Sequence, residues 1–155
     1  MSFRFSALSR DRFDPLFSMH DDALARRGAR RVTATRRPGF PCRVTLQDAE
    51  IGEQVLLVNF AHLDVDTPFR SSHAIYVRQA GQPAQPAIDV VPDMLRTRTI
   101  SLRAWTQEGM LAAAELAEGT DVERAIAALF SIPEAAFLHV HFANAGCYAA
   151  RVDRA

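Results

Sequence analysis

The spacing of apolar residues in this chain changes period several times, and each change marks an element. Phe3 to Ala7 alternates weakly and predicts a first strand. Val55 to Phe60 (VLLVNF) is an apolar run that predicts a strand buried on both faces, central in its sheet. His73 to Arg78 and Ile100 to Thr106 alternate again, while Arg31 to Thr35 and Ala87 to Val91 are β-prone, the latter ended by Pro92. After the turn at Gln107 to Gly109, the stretch MLAAAELAEG offers alanines that favour helix in a hairpin context that favours strand. It is read as a strand. Phe137 to Ala143, a turn at Asn144 to Gly146, and Cys147 to Val152 predict a closing β-hairpin.

Helical signals are fewer. Asp14-Pro15 predicts a helix start, with Asp as cap, and Asp21 to Arg27 a second helix with Gly28 placed to stop it. Thr120 to Glu123 has the form of a capping box, and Val122, Ile126, Leu129 and Phe130 then fall on one helical face ended before Pro133. The segment RRPGFPC cannot be regular. The expected fold is α+β, a mainly antiparallel sheet with two or three short helices and a C-terminal β-hairpin, in a single domain over residues 1–155.

Composition narrows the function classes. With 155 residues, 48% hydrophobic and 23% charged, the chain can bury a proper core without staples. The formal net charge is zero, so no global field attracts nucleic acid or anionic lipid. Seven arginines and no acid lie between Ala23 and Gln47, but beyond Phe40 no aromatic interleaves them, which favours a solvated, ion-paired face. Charges interrupt every apolar run of the N-terminus and nowhere do eighteen apolar residues run together. A cytoplasmic protein with two free thiols, Cys42 and Cys147, is expected, with no membrane and no nucleic-acid partner.

The closing hairpin can be taken further by parity. Leu138, Val140 and Phe142 share one strand face, and Phe137, His139 and His141 the other. A three-residue loop makes Ala143 face Cys147, His141 face Ala149 and His139 face Arg151, with glycine last, where a left-handed residue is needed. His139, His141, Cys147 and Arg151 are then expected together on one side. Two histidines two apart on a strand present imidazoles to a metal, and Cys147 or His73 would be a third ligand. Cys147 beside His141 is also the minimum for an activated thiol, and Cys42, followed by Arg43 in an irregular loop, is the other candidate. The plain alternative is a buried polar seam of hydrogen-bonded histidines.

A second stretch, Arg70, Ser71, Ser72 and His73, suits an anionic or hydroxylated ligand, or simply the closure of a loop. His62, two residues past VLLVNF, lies at the end of that strand, placed either to reach the same cleft or to be simply solvated. No phosphate-binding glycine loop, Cys-x-x-Cys pair or His-Glu-x-x-His helix occurs.

Three motifs together, GFPCRVTLQDAEIGEQVLLVNFAH, PFRSSHAIYVR and HVHFANAGCYAARVDR, resemble an uncharacterised bacterial family known as domain of unknown function 1203. The resemblance spans essentially the whole chain and implies a single-domain bacterial protein, but no activity. Cys42, Arg43, His62, Arg70, Ser71, Ser72, His73, His139, His141, Asn144, Cys147 and Tyr148 fall within the matching motifs.

The reading that results is a small-molecule pocket for an anionic or carbonyl ligand, built from three segments. These are the Cys42-Arg43 loop, the Arg70 to His73 entry, and the hairpin face with His139, Asn144 and Arg151. In an enzymatic version Cys147, His141 and Cys42 carry the chemistry. No cofactor is predicted outright. The alternatives are zinc or another divalent metal held by His139, His141 and His73, or a non-enzymatic homodimer joined through an exposed sheet edge.

Overall fold

In the computed structural model, which describes all residues from Met1 to Ala155, eight strands form two antiparallel sheets. The larger is ordered β1 (Phe3–Ser6), β8 (Tyr148–Arg154), β7 (Phe137–Phe142), β5 (Thr99–Trp105) and β6 (Leu111–Glu118). The smaller is ordered β2 (Ala29–Thr33), β3 (Gln54–Leu63) and β4 (Ser71–Arg78). Four short helices accompany them: α1 (Asp14–Phe17), α2 (Asp21–Ala25), α3 (Asp93–Arg96) and α4 (Val122–Phe130). The α+β class and the C-terminal hairpin are as the sequence predicts.

Side-chain alternation decides what each face of the large sheet meets. Ile100, Leu102, Leu138, Val140, Phe142 and Val152 join one core with Val122, Ala125, Ile126, Leu129 and Phe130 of α4. Each large side chain so buried stabilises the fold by roughly 1.5–3 kcal/mol. The alternate positions, Ser101, Arg103 and Trp105 of β5 and Phe137, His139 and His141 of β7, point the other way. On that side lies the small sheet, whose Leu56, Val58, Ile75 and Val77 build a second core with Leu24, Cys42 and Val44. The two cores are separate clusters, and the end of the seam between the sheets is polar.

Several expectations need correction. Ala87 to Val91 is no strand: Asp89 takes a positive φ of 60°, and its carboxylate accepts from Phe3 N–H and Ser2 Oγ–H, tying this loop to the start of β1. The capping box at Thr120 does not form. Asp121 is the N-cap and makes no side-chain cap, and the Glu123 carboxylate turns to Arg96 instead of back to the helix start. Asp14 lies inside α1 and Phe13 is its N-cap, without a side-chain cap. The strand expected at Arg31 to Thr35 begins two residues earlier. Gly28, at φ 64°, does terminate the α2 region. VLLVNF is the middle strand of its sheet, but Asn59 is exposed and Leu57 half-buried, so only part of it is covered on both faces.

The largest departure lies in the hairpin. Leu138, His139 and Val140 pair with Val152, Arg151 and Ala150 as parity requires, but His141 then pairs with Tyr148 rather than Ala149. Ala149 is the extra residue of a β-bulge. A bulge reverses the facing of everything beyond it. Tyr148 therefore joins the imidazole side, and Cys147 goes to the apolar side, where it packs against the large core.

Candidate metal centre

Four of the five histidines meet where the two sheets face each other. His62 comes from the end of β3, His73 from β4, and His139 and His141 from β7. The His62 and His73 rings stack with centroids 4.7 Å apart, and His141 approaches both edge-on, at 5.0 and 5.3 Å. Tyr148 stacks on the other face of His62 at 5.2 Å, which is the contact the bulge creates. One ring nitrogen from each of His62, His73 and His141 lies within 4.8 Å of the other two.

Hydrogen bonds assign the lone pairs. The His141 Nδ1–H donates to the Gly146 carbonyl at 3.0 Å, so its Nε2 carries a bare lone pair. That Nε2 is buried and has no partner, and neither has Nδ1 of His73. His62 is the satisfied member, with Nδ1 3.3 Å from His139 Nδ1 and Nε2 3.1 Å from Ser71 Oγ. Unpaired buried nitrogens are uncommon in folded proteins and call for a cause.

The surroundings favour the neutral form of all four rings. Burial is the leading cause in every case: it takes His62 down to about 4, His139 to about 3 and His141 to about 2, and lowers His73. The charge of Arg103 adds to this at each of them. Arg103 pairs across the ladder with His139 and is only partly buried, and burial lowers its own pKa. It forms no ion pair and donates no side-chain hydrogen bond. Tyr148 is kept as a phenol, since burial pushes its pKa up. A cavity of about 580 Å³ opens beside His62, His139 and Tyr148, with Arg12, Asp64 and Arg151 on its walls.

The structure brings Ser71, His73, His139 and His141 together, but does not gather every residue the sequence singles out. Arg70 is exposed and ion-paired with Asp64 at 2.9 Å, and Ser72 also faces solvent. Arg151 sits opposite His139, as parity predicts, yet its guanidinium is spent on Asp153 and on the Phe137 ring, 4.0 Å away. Cys42 is sealed in the interior, its Sγ accepting N–H groups of Val44, Thr45 and Arg78 at 3.2–3.4 Å. The bond from Arg78, with that from Arg43 N–H to the Tyr76 carbonyl, pins the Cys42-Arg43 loop to β4. The expected thiol–imidazole pair is not formed: Cys147 Sγ accepts from Arg43 Nη2 at 3.1 Å, and no histidine bonds to it. Arg43, Cys147 and Asn144 line a different cavity. One anticipated pocket is thus two.

Three members of the site escape the sequence argument. Parity along Ile100 to Trp105 puts Arg103 opposite Leu102, but only the β5–β7 pairing puts it beside the histidines. Tyr148 arrives through the bulge. Trp105, whose buried Nε1 is also without a partner, packs with Leu63 and Phe137 at the edge of the cluster.

No curated protein and no solved structure matches this chain. One family model does, over residues 39–154, a span that holds every histidine of the cluster, both cysteines and Arg43. The chain belongs to the family described as protein of unknown function DUF1203.

Proposed function

We propose that this protein is a metalloprotein, and that His62, His73 and His141 hold a divalent first-row metal ion, zinc foremost. The observation that carries the reading is the state of His141. Its Nδ1–H is fixed on a backbone carbonyl, and its Nε2 lone pair is buried, neutral and unpartnered beside two further imidazoles. Metal-ligating histidines characteristically donate their other ring N–H to a carbonyl or carboxylate in this way. Neutral imidazole is the ligand form, so binding needs no proton to leave. Tetrahedral coordination asks for nitrogens about 3.3 Å apart, so separations of up to 4.8 Å close by at most about 1.5 Å. His62 would release either Ser71 or His139 to bind.

Three imidazoles and an open fourth position are the arrangement of a catalytic rather than a structural zinc site. The cavity beside His62, His139 and Tyr148 borders one of the three proposed ligands, His62, and is the side from which a small molecule would approach. Arg103, without a carboxylate of its own, supplies a positive charge facing the rings, which suits a small anionic substrate for metal-assisted hydrolysis or hydration.

The test is reconstitution of tag-free, chelator-stripped protein, followed by elemental analysis and the visible spectrum of the cobalt form. About one equivalent is expected in the wild type, with tetrahedral cobalt bands, and less than about a tenth in His141→Ala. Wild-type protein that retains less than about a tenth of an equivalent after exposure to excess zinc would refute the proposal.

A further inference from the structure

Behind the β7–β8 hairpin lies a second cavity, of about 760 Å³, with a different chemistry. Its walls include Arg36, Arg43, Arg98, Tyr76, Asn144 and Cys147, and no lining residue is acidic. Arg98 is already neutralised, because both its Nη atoms donate to the Asp48 carboxylate, at 2.7 and 2.9 Å. Arg36 has no ion pair and rests over the Phe40 ring.

Arg43 is the unusual member. It is 1% exposed, the largest fully buried side chain in the molecule, and has no carboxylate within ion-pair reach. Its donors go to the carbonyls of Tyr148 and Pro41 and to Cys147 Sγ, while its guanidinium lies 5.0 Å from the Phe142 ring centroid. Burying a guanidinium without a counter-charge costs several kcal/mol, and folded proteins avoid it unless an anion completes the site. Burial lowers the pKa of Arg43, and nearby Arg98 acts in the same sense. Carbonyl oxygens hydrogen-bond a guanidinium but do not balance its charge.

We propose that this cavity is a binding site for a small carboxylate- or phosphate-bearing molecule, held by Arg43 and Arg36, with the Cys147 thiol in contact with the bound ligand. The site is separate from the histidine cluster: His73 and Ala74 are neighbours on β4, but Ala74 faces this cavity and His73 the other side of the strand. It therefore stands whether or not the metal is bound. Three of the five N–H donors of Arg43 are engaged, which leaves one on each Nη for a bound carboxylate or phosphate oxygen.

Cys147 provides the reporter. Iodoacetate and iodoacetamide both alkylate a thiol: sulfur bonds to the methylene carbon, iodide leaves with the C–I electrons, and the thiol proton passes to solvent. Only iodoacetate carries a carboxylate. Mass spectrometry separates labelling at Cys147 from labelling at Cys42, which is fully buried. The iodoacetate-to-iodoacetamide rate ratio at Cys147 should exceed that of a free cysteine peptide by about ten-fold or more, the scale of electrostatic steering into a cleft. Arg36→Ala, at an exposed position, should lower that ratio several-fold with the fold unchanged, and Arg43→Lys should lower it further. Inorganic phosphate and acetate are then added separately as competitors. Protection by phosphate alone assigns a phosphate-bearing ligand, and protection by acetate alone or by both assigns the carboxylate class or a general anion site. A ratio equal to that of the peptide, unmoved by Arg36→Ala and by either competitor, would overturn the proposal.

Discussion

Replacing His141 by leucine separates a metal ligand from a structural histidine, because the two roles predict opposite effects on stability. His141 is fully buried. Its Nε2 has lost water without gaining a partner, which costs the metal-free fold about 1–3 kcal/mol. Its Nδ1–H bond to Gly146 contributes about 0.5–1.5 kcal/mol. Leucine removes both, fills a similar volume and adds apolar burial next to Tyr148, and the Gly146 carbonyl lies in a half-exposed turn where water can replace the imidazole. The balance favours the variant by about 1 kcal/mol, which for a domain of this size raises Tm by about 2–4 °C. With zinc at a hundred times its Kd, the wild type gains about 2.7 kcal/mol and the variant little, so the order of stability reverses. Thermal unfolding followed by circular dichroism, once in chelator and once in zinc, measures both. A variant that loses more than about 2 kcal/mol in chelator would show that His141 is there to hold the fold. Equal zinc shifts for both proteins would refute the ligand role as well.

Other perturbations test the frame around the two cavities. Burial works to raise the Asp48 pKa, but hydrogen bonds from Arg98 and from the Gly39 N–H outweigh it, and the net shift is downward. A depressed folded pKa means that the stability Asp48 confers is complete above the unfolded value and is lost as pH falls through the folded one. Asp48→Asn should therefore cost about 2–3 kcal/mol near neutral pH, with the gap to wild type closing below about pH 4 in urea titrations. Gly119→Ala would set a Cβ 2.3 Å from the Leu95 and Arg96 carbonyl oxygens; a loss of at least about 3 kcal/mol in chemical unfolding is expected, since backbone on both sides cannot yield. Ile126→Ala, at a fully buried position of α4, should cost about 2–5 kcal/mol by the same measurement, and a cost under about 1 kcal/mol would mean that α4 does not seal the large core.

How far the sequence reaches depends on whether the information is local. The strand faces of β5 and β7 and the apolar stripe of α4 follow from periodicity, the strand at Leu111 to Glu118 from its hairpin context after the turn at Gln107 to Gly109, and each is present. The loss of Ala87 to Val91 as a strand turns on a single side chain 86 residues away in sequence from its partner at Phe3, which no local pattern carries. Parity correctly puts His139 and His141 together and pairs His139 with Arg151. It cannot bring His62 and His73 to them, because that contact depends on how two sheets face each other. Arg43 is an instructive case. A basic residue in an irregular loop reads as solvated or ligand-facing, yet here the bonds from Arg78 N–H to Cys42 Sγ and from Arg43 N–H to the Tyr76 carbonyl pin the loop, and the guanidinium is carried into the interior.

The extra residue at Ala149 bears most directly on chemistry. Without it, the regular register would turn Cys147 toward His141, and a thiol among three imidazoles would be a fourth ligand. Four protein ligands close a zinc centre and make it structural. With the bulge, the thiol goes instead to the Arg43 cavity, and the residue set against the imidazoles is Tyr148, whose buried hydroxyl stays protonated and so competes poorly for a metal. Bulges recur where a strand must re-aim a side chain near a functional site. Here a one-residue insertion supplies the second cavity with its only sulfur, and in the proposed metal centre it would leave the fourth position open. The two sites are chemically distinct because the same two strands part company at that residue.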